Sequence, residues 1–113
     1  MKISLKHQTT EHSNAPSCKV SEHHLNDPMM DCAIAKISGR YPETRRVVNL
    51  QCNELVYVFQ GEGKVVVNHM EHKLSAGDAV LIEAGEKYYW EGDMQLFISC
   101  RPAWSMEQHQ LVD

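Results

Sequence analysis

Glu54-Leu55-Val56-Tyr57-Val58-Phe59-Gln60-Gly61-Glu62-Gly63-Lys64-Val65-Val66-Val67 leads, after a short polar break, into Leu74-Ser75-Ala76-Gly77-Asp78-Ala79-Val80-Leu81-Ile82. Both stretches are rich in Val, Leu, Ile, Tyr and Phe, most of which sit well on a pleated, half-buried surface. Their glycines Gly61, Gly63 and Gly77, with Gly85 further on, fall where the tight hairpins of a curled sheet need positive φ. Working outward, β runs are predicted at Cys32–Ser38, Thr44–Leu50, Leu55–Gln60, Lys64–Asn68, Glu71–Ser75, Ala79–Glu83, Lys87–Trp90 and Gln95–Cys100. Turn formers stand between them: Gly39-Arg40-Tyr41-Pro42, Gly61-Glu62-Gly63, Asn68-His69, Ala76-Gly77-Asp78, Ala84-Gly85-Glu86 and Glu91-Gly92-Asp93. No amphipathic helical window breaks the series, so the pattern is that of an all-β sandwich or barrel.

The two ends read differently. Residues 1–31 are mostly polar and carry His7, His12, His23, His24, Pro16 and Pro28, which predicts an arm or long loop with at most one strand. After Pro102, Ser105 followed by Gln108 fits a capping box and predicts a short helix in a tail over 103–113. The barrel is expected over 32–102, as a single domain.

A chain of 113 residues, 42% of them apolar, can fill one core. Its 11 basic and 15 acidic residues give a net charge of −4, and the longest basic run is Arg45-Arg46. Neither nucleic acid nor an anionic membrane is therefore an expected partner. The segment Met1–Gln8 turns polar before a signal-peptide core could form, and nothing approaches the ~18 apolar residues of a membrane helix, so the chain is read as cytoplasmic. Cys18, Cys32, Cys52 and Cys100 lie far apart without a Cys-x-x-Cys pair and are expected as free thiols.

The opening pair of stretches resembles the two motifs of the cupin family. There a Glu precedes a turn Gly, matched here by Glu54 and Gly61, and a second motif runs from Gly-Asp to a closing Gly, matched by Gly77-Asp78 and Gly85. Gly39-Arg40-Tyr41-Pro42 ahead of the first motif and Pro102-Ala103-Trp104 after the last strand are similar to the flanks of small stand-alone bacterial cupins. The resemblance implies a jelly-roll-like double-stranded β-helix barrel and a homodimer.

Metal-binding cupins place a His-x-His pair before that Glu and a third His past the Gly turn, so that imidazoles and carboxylate converge on one ion at about 2.0–2.2 Å. In this sequence the pair falls on Val48 and Leu50 or on Val47 and Asn49, depending on the gap, and the third position is Tyr88; the usual Pro of the second motif is Glu83. Glu54 alone is retained, and one carboxylate does not hold a transition metal. No metal and no other cofactor is expected. His69 and His72 read as solvated turn residues, and His23-His24, adjacent on an extended chain, point to opposite sides.

By alternation Tyr88 and Trp90 share one strand face, and the family match on Tyr88 makes that face the interior. With Glu54, Asn49 and Cys52 they form the candidate ligand site, two aromatic rings for an apolar or sugar-like face beside a carboxyl. The same rings could instead plug the volume of the lost metal site. A carboxylate facing such an interior needs a partner, Tyr88 O–H first and Arg45 or Arg46 second. Three functions follow. The first is a metal-independent module binding a small molecule such as a sugar or a small organic acid. The second is an isomerase or epimerase moving protons with Glu54 and Tyr88, or an enzyme with a non-standard metal site. The third is a structural or interaction module with a filled barrel.

Overall fold

A computed structural model describes all 113 residues. Nine strands make one curled, all-antiparallel sheet: β1 Thr10–Ala15, β2 Cys18–Glu22, β3 Ala33–Tyr41, β4 Arg46–Asn49, β5 Asn53–Val67, β6 Met70–Ser75, β7 Ala79–Ile82, β8 Lys87–Arg101 and β9 His109–Val112. The spatial order is β1-β2-β3-β8-β4-β9, and β5 lies on the other edge of β8 and carries β6 and β7. Short loops joined to strands that curl through them give the all-β barrel expected from the sequence. No helix is long and apolar enough to cross a membrane.

Two predicted turns are strand interior instead. The runs Leu55–Gln60 and Lys64–Asn68 belong to the single strand β5, and Lys87–Trp90 and Gln95–Cys100 belong to β8. Glycine inside a strand marks close backbone approach as well as turning, and that is its use here. Gly63 pairs with Gly92 across β5 and β8, and a Cβ built on Gly92 would lie 2.5 Å from Gly63 Cα. A Cβ on Gly61, whose φ is +85°, would lie 2.1 Å from the Asp93 carbonyl oxygen.

A β-bulge at Phe59 makes this long pairing compatible with one core. Val58 pairs with Leu96 and Gln60 with Gln95, so one residue of β5 has no partner and the inward-facing parity reverses. Before the bulge Glu54, Val56 and Val58 point inward; after it Val65 does, opposite Trp90. Ile37, Ile82, Met94 and Leu96 complete the centre of the core, each almost fully buried.

Both ends differ from expectation. The arm predicted with at most one strand is the hairpin β1–β2, and Cys18 and Val20 of β2 enter the core opposite Ile37 and Ala35 of β3. The short helix predicted after Pro102 is a single 3₁₀ turn at Met106–Gln108 without a side-chain cap at Ser105, followed by β9 along β4. Gln108 explains the change, because its Oε1 accepts the backbone N–H groups of Gln51 and Cys52 and fastens the tail to the barrel.

Gly61→Ala combines a positive φ with a backbone collision and is expected to cost about 3–5 kcal/mol or to prevent folding. Gly39→Ala, at φ +98° with no atom within 4 Å of the new Cβ, should cost only about 1 kcal/mol. Urea midpoints of the two variants check the difference.

Candidate functional site

Strand β4 decides which residues stand at the family's metal-ligand positions. Val47 pairs with Tyr88 and is buried, Asn49 is buried on the same face, and Leu50 is half exposed. The inward pair is therefore Val47 and Asn49, with Tyr88 opposite. A valine, an amide, a phenol and one carboxyl are not the donor set of a transition-metal site, and no group of three His, Cys, Asp or Glu side chains is brought together to hold a metal ion.

Asn49 organises what is there instead. Trp104 Nε1 can only donate, and it lies 3.2 Å from Asn49 Oδ1, which fixes the orientation of the amide. His109 Nδ1, 2.7 Å from the same oxygen, must then carry a proton, so its Nε2 accepts from Tyr41 O–H at 2.7 Å. The two protons of Asn49 Nδ2 go to Glu54 Oε1 and Tyr88 Oη, each at 3.2 Å. Cys100 Sγ also donates to Glu54 Oε1, at 3.8 Å. Glu54 is thus held by Asn49 and Cys100, with Tyr88, the partner expected first, beside it as a weaker hydrogen-bonding neighbour that also favours the ionised carboxyl. Arg45 and Arg46 turn outward and bind Asp113 at the C-terminus.

These groups surround a cavity of about 70 Å³, several times the ~10–15 Å³ that one water requires. The rings therefore do not plug the interior. Glu54, Tyr88 and Trp90 line the cavity; Asn49 stands behind Glu54 and Tyr88, and Cys52 is fully buried beside Cys100, away from the lining. The hydrogen bonds from Asn49 and Cys100 both fall on Glu54 Oε1, and the carboxyl lines the cavity. Tyr88 and Trp90 meet edge to face, with ring centroids 6.2 Å apart.

Tyr41, Trp104, His109 and His12 also line the cavity and were not among the sequence candidates. Tyr41 and Trp104 sit inside the two flanking motifs, Gly39–Pro42 and Pro102–Trp104, so a signal for them existed. Asp31 holds the second flank in place: its two carboxylate oxygens accept the backbone N–H groups of Cys100 and Trp104. His12 comes from the polar N-terminal hairpin and lies nearly parallel to the Trp104 ring at 6.4 Å. His109 lies in the tail predicted as helix, and nothing in its local sequence points inward.

Burial dominates the protonation states. It raises the Glu54 carboxyl to about 7, against the hydrogen bonds from Asn49 and Cys100 that favour the ionised form. Burial lowers His109 to about 4, which keeps the imidazole neutral, and lifts Tyr88 and Tyr41 well above the ordinary phenol range, with the Glu54 charge adding to both.

The cupin domain model matches residues 49–97, from Asn49 through the two motifs into β8. The barrel has the cupin fold. Similar solved structures include Streptomyces Pac13, described as a unique nucleoside dehydratase, with a TM-score of 0.88 at 14% identity over 99% of this chain and 91% of that one. Pac13 has also been solved with uridine, with the same score and identity. KdgF from Halomonas sp. superposes with a TM-score of 0.72 at 16% identity, covering 95% of this chain and 97% of KdgF. Salicylate 1,2-dioxygenase from Pseudoaminobacter salicylatoxidans gives 0.68 at 20% identity, over 79% of this chain and 26% of that larger chain. No curated protein matches the sequence.

The raised Glu54 carboxyl generates a signed pH effect. Its folded value lies above the ordinary 4.5, so its contribution is most favourable below pH 4.5 and is lost as pH rises toward 7. His109, lowered to about 4, acts in the opposite direction and costs stability as pH falls from 6.5 toward 4. In Glu54→Gln only the first effect disappears. The stability of the variant minus that of the parent, from urea unfolding, is expected to rise by roughly 3 kcal/mol between pH 4.5 and 7.

Proposed function

We propose that this cupin is a metal-independent binding module for a small organic molecule with a ring face and polar substituents, such as a sugar or a small organic acid. The observation that carries the reading is the Glu54 carboxyl lining an otherwise largely apolar, aromatic-lined cavity, with its hydrogen bonds from Asn49 and Cys100 both on Oε1. Burying a carboxyl there is costly unless something uses it, and a hydroxyl or amide of a ligand would. Tyr88 Oη, which accepts from Asn49 and lies beside Glu54, can turn its proton to the same ligand. The uridine-bound relatives support a small-molecule role for this barrel shape. We place the protein in the cytoplasm, where its four cysteines, all free, stay reduced.

A thermal-shift screen of sugars, nucleosides, amino acids and small acids tests the reading. A ligand at 100 times its Kd stabilises by about 2.7 kcal/mol, which for a domain of this size is on the order of 10 °C. Tyr88→Phe and Glu54→Gln keep the volume and remove the polar groups, and each should weaken binding about tenfold or more; Trp90→Leu should do the same through the lost ring face. No shift with any compound, or shifts unchanged in all three variants, would sink the proposal.

One observation favours a second reading, an isomerase or epimerase: a carboxyl titrating at about 7 faces the cavity beside a tyrosine hydroxyl, as a proton-transfer pair requires. Solvent deuterium appearing at carbon in a bound compound would establish turnover over simple binding.

We infer also that the chain pairs with a second copy. Leu55, Tyr57 and Phe59 of β5, Leu81 of β7 and Phe97 of β8 share the outer face of adjacent strands and are each 38–54% exposed. No charge interrupts them, while Lys36 and Glu83 of opposite sign lie at the margin, which suits a self-complementary contact. Light scattering is expected to give the mass of two chains for the parent and of one chain for Tyr57→Lys with Phe97→Lys.

A further inference from the structure

The 18 residues lining the cavity include no lysine and no arginine. Several of the chain's cations are held elsewhere. Arg40 lies 3.9 Å above the Tyr89 ring and donates to the Pro42 and Arg45 carbonyls, Arg45 and Arg46 hold the C-terminus, and Lys64 pairs with Glu71 and Glu91. The imidazoles do not substitute for them. His109 is neutral and has both ring nitrogens engaged, and His12 faces Glu22, with Nδ1 3.6 Å from the carboxylate. No α-helix exists in the chain to offer an N-terminus.

The lining does carry three carboxyl groups, Glu22, Asp31 and Glu54. Asp31 accepts two backbone N–H groups and Glu22 lies 3.6 Å from His12, which leaves Glu54 as the lining carboxyl with neither a backbone nor an imidazole partner, and no lysine or arginine of the lining offsets the negative charge. An anion entering this space would lose its hydration, find no counter-charge and meet a carboxylate. A hydroxyl group meets the reverse situation, since the Glu54 carboxyl accepts from it, Tyr88 Oη donates to it, and Trp90 and Trp104 offer ring faces.

On the footing of the binding reading above, we propose that the cavity takes uncharged, hydroxyl-bearing ring compounds of the sugar or nucleoside class and refuses carboxylates and phosphates built on the same ring. The small-acid half of the wider ligand class is thereby excluded. Discrimination is a difference of affinities, and here it is made by leaving the anion unpaired.

The groups that titrate around Glu54 are Tyr88 and Cys100 on β8, Asp31 before β3, Cys52 before β5, Cys18 on β2 and Tyr41 on β3. Burial pushes Cys18 up to about 12, and the contact with Cys52 together with burial keeps Cys100 protonated; Cys52, lowered by the same contact, stands outside the lining, so Glu54 is the carboxyl facing the cavity in this set whose charge changes near neutrality. Refusal of anions should therefore sharpen as pH rises through 7.

Matched sets decide the matter: pentoses, hexoses and nucleosides, each beside its uronic or aldonic acid, its monophosphate and its amino-sugar or amino-nucleoside, titrated calorimetrically against the native protein at pH 5.5 and 8.5. On any ring that binds, the neutral member is expected to bind at least tenfold more tightly than the acid or phosphate at pH 8.5, with the ratio at least fivefold smaller at pH 5.5. In Glu54→Gln the pH dependence of the ratio should vanish for the uronic and aldonic acids, which stay ionised throughout this range, while the monophosphates, which gain their second charge near pH ~6, keep a residual dependence. An acid or phosphate equal to or tighter than its neutral parent overturns the selectivity and leaves the binding reading standing, as does an amine that outbinds the neutral parent. If no member of any set binds, the binding reading falls and this inference with it.

Discussion

The side-chain amide of Asn49 offers two lone pairs and two protons, and the folded chain uses all of them. Trp104 and His109 supply the donors to its oxygen; Glu54 and Tyr88 take its two protons. Through these four contacts one residue at the end of β4 ties together β5, β8, β9 and the loop that follows Arg101. Each partner is restricted in turn, because an indole N–H cannot accept, a neutral imidazole with one proton must donate on one side and accept on the other, and a buried carboxyl needs a donor. The geometry of the cavity is a consequence of this network. Remove the amide and four buried polar groups lose a partner at once, at about 1–3 kcal/mol for each one left unsatisfied.

The network can form because the sheet wraps far enough to bring distant segments to one point, and that depends on two fifteen-residue strands, β5 and β8, lying against each other along nearly their whole length. Strands this long would diverge from a closed core unless curled. The Phe59 bulge and the contact of Gly61 and Gly63 with the Gly92–Asp93 backbone supply the curl and switch the inward face of β5 from even to odd positions. Because of that switch Glu54 at one end and Val65 near the other both face the same interior.

Polarity inside the barrel is arranged so that little charge is present. His109 is held neutral and the two tyrosines remain phenols, while Glu54 sits at the edge of ionisation near neutral pH. A site that had kept imidazoles at positions 47, 49 and 88 would collect a cation and stabilise the carboxylate. With Val47, Asn49 and Tyr88 in their place, the carboxyl is left to be satisfied by amide, thiol and whatever enters the cavity.

The β character of the chain, its cupin motifs, the loss of the metal-ligand histidines and the inward placement of Glu54, Tyr88 and Trp90 were all legible in the sequence, because alternation within a strand and the Gly-Asp turn are local properties. The choice between Val47 with Asn49 and Val48 with Leu50 was not, since it depends on the register of β4 against β8. Nor were the continuity of β5 and β8 through their glycines, the entry of the N-terminal hairpin into the core, or the roles of Tyr41, Trp104, His109 and His12. The hydrogen bonds of Tyr41, Trp104 and His109 join residues 55 to 68 positions apart, and no local pattern in either partner announces them. The sequence by itself determined which chemical groups were available to the interior. Only the tertiary structure decided that Asn49 would stand between Glu54 and Tyr88, because a hydrogen-bond partner is chosen by where the folded backbone delivers it.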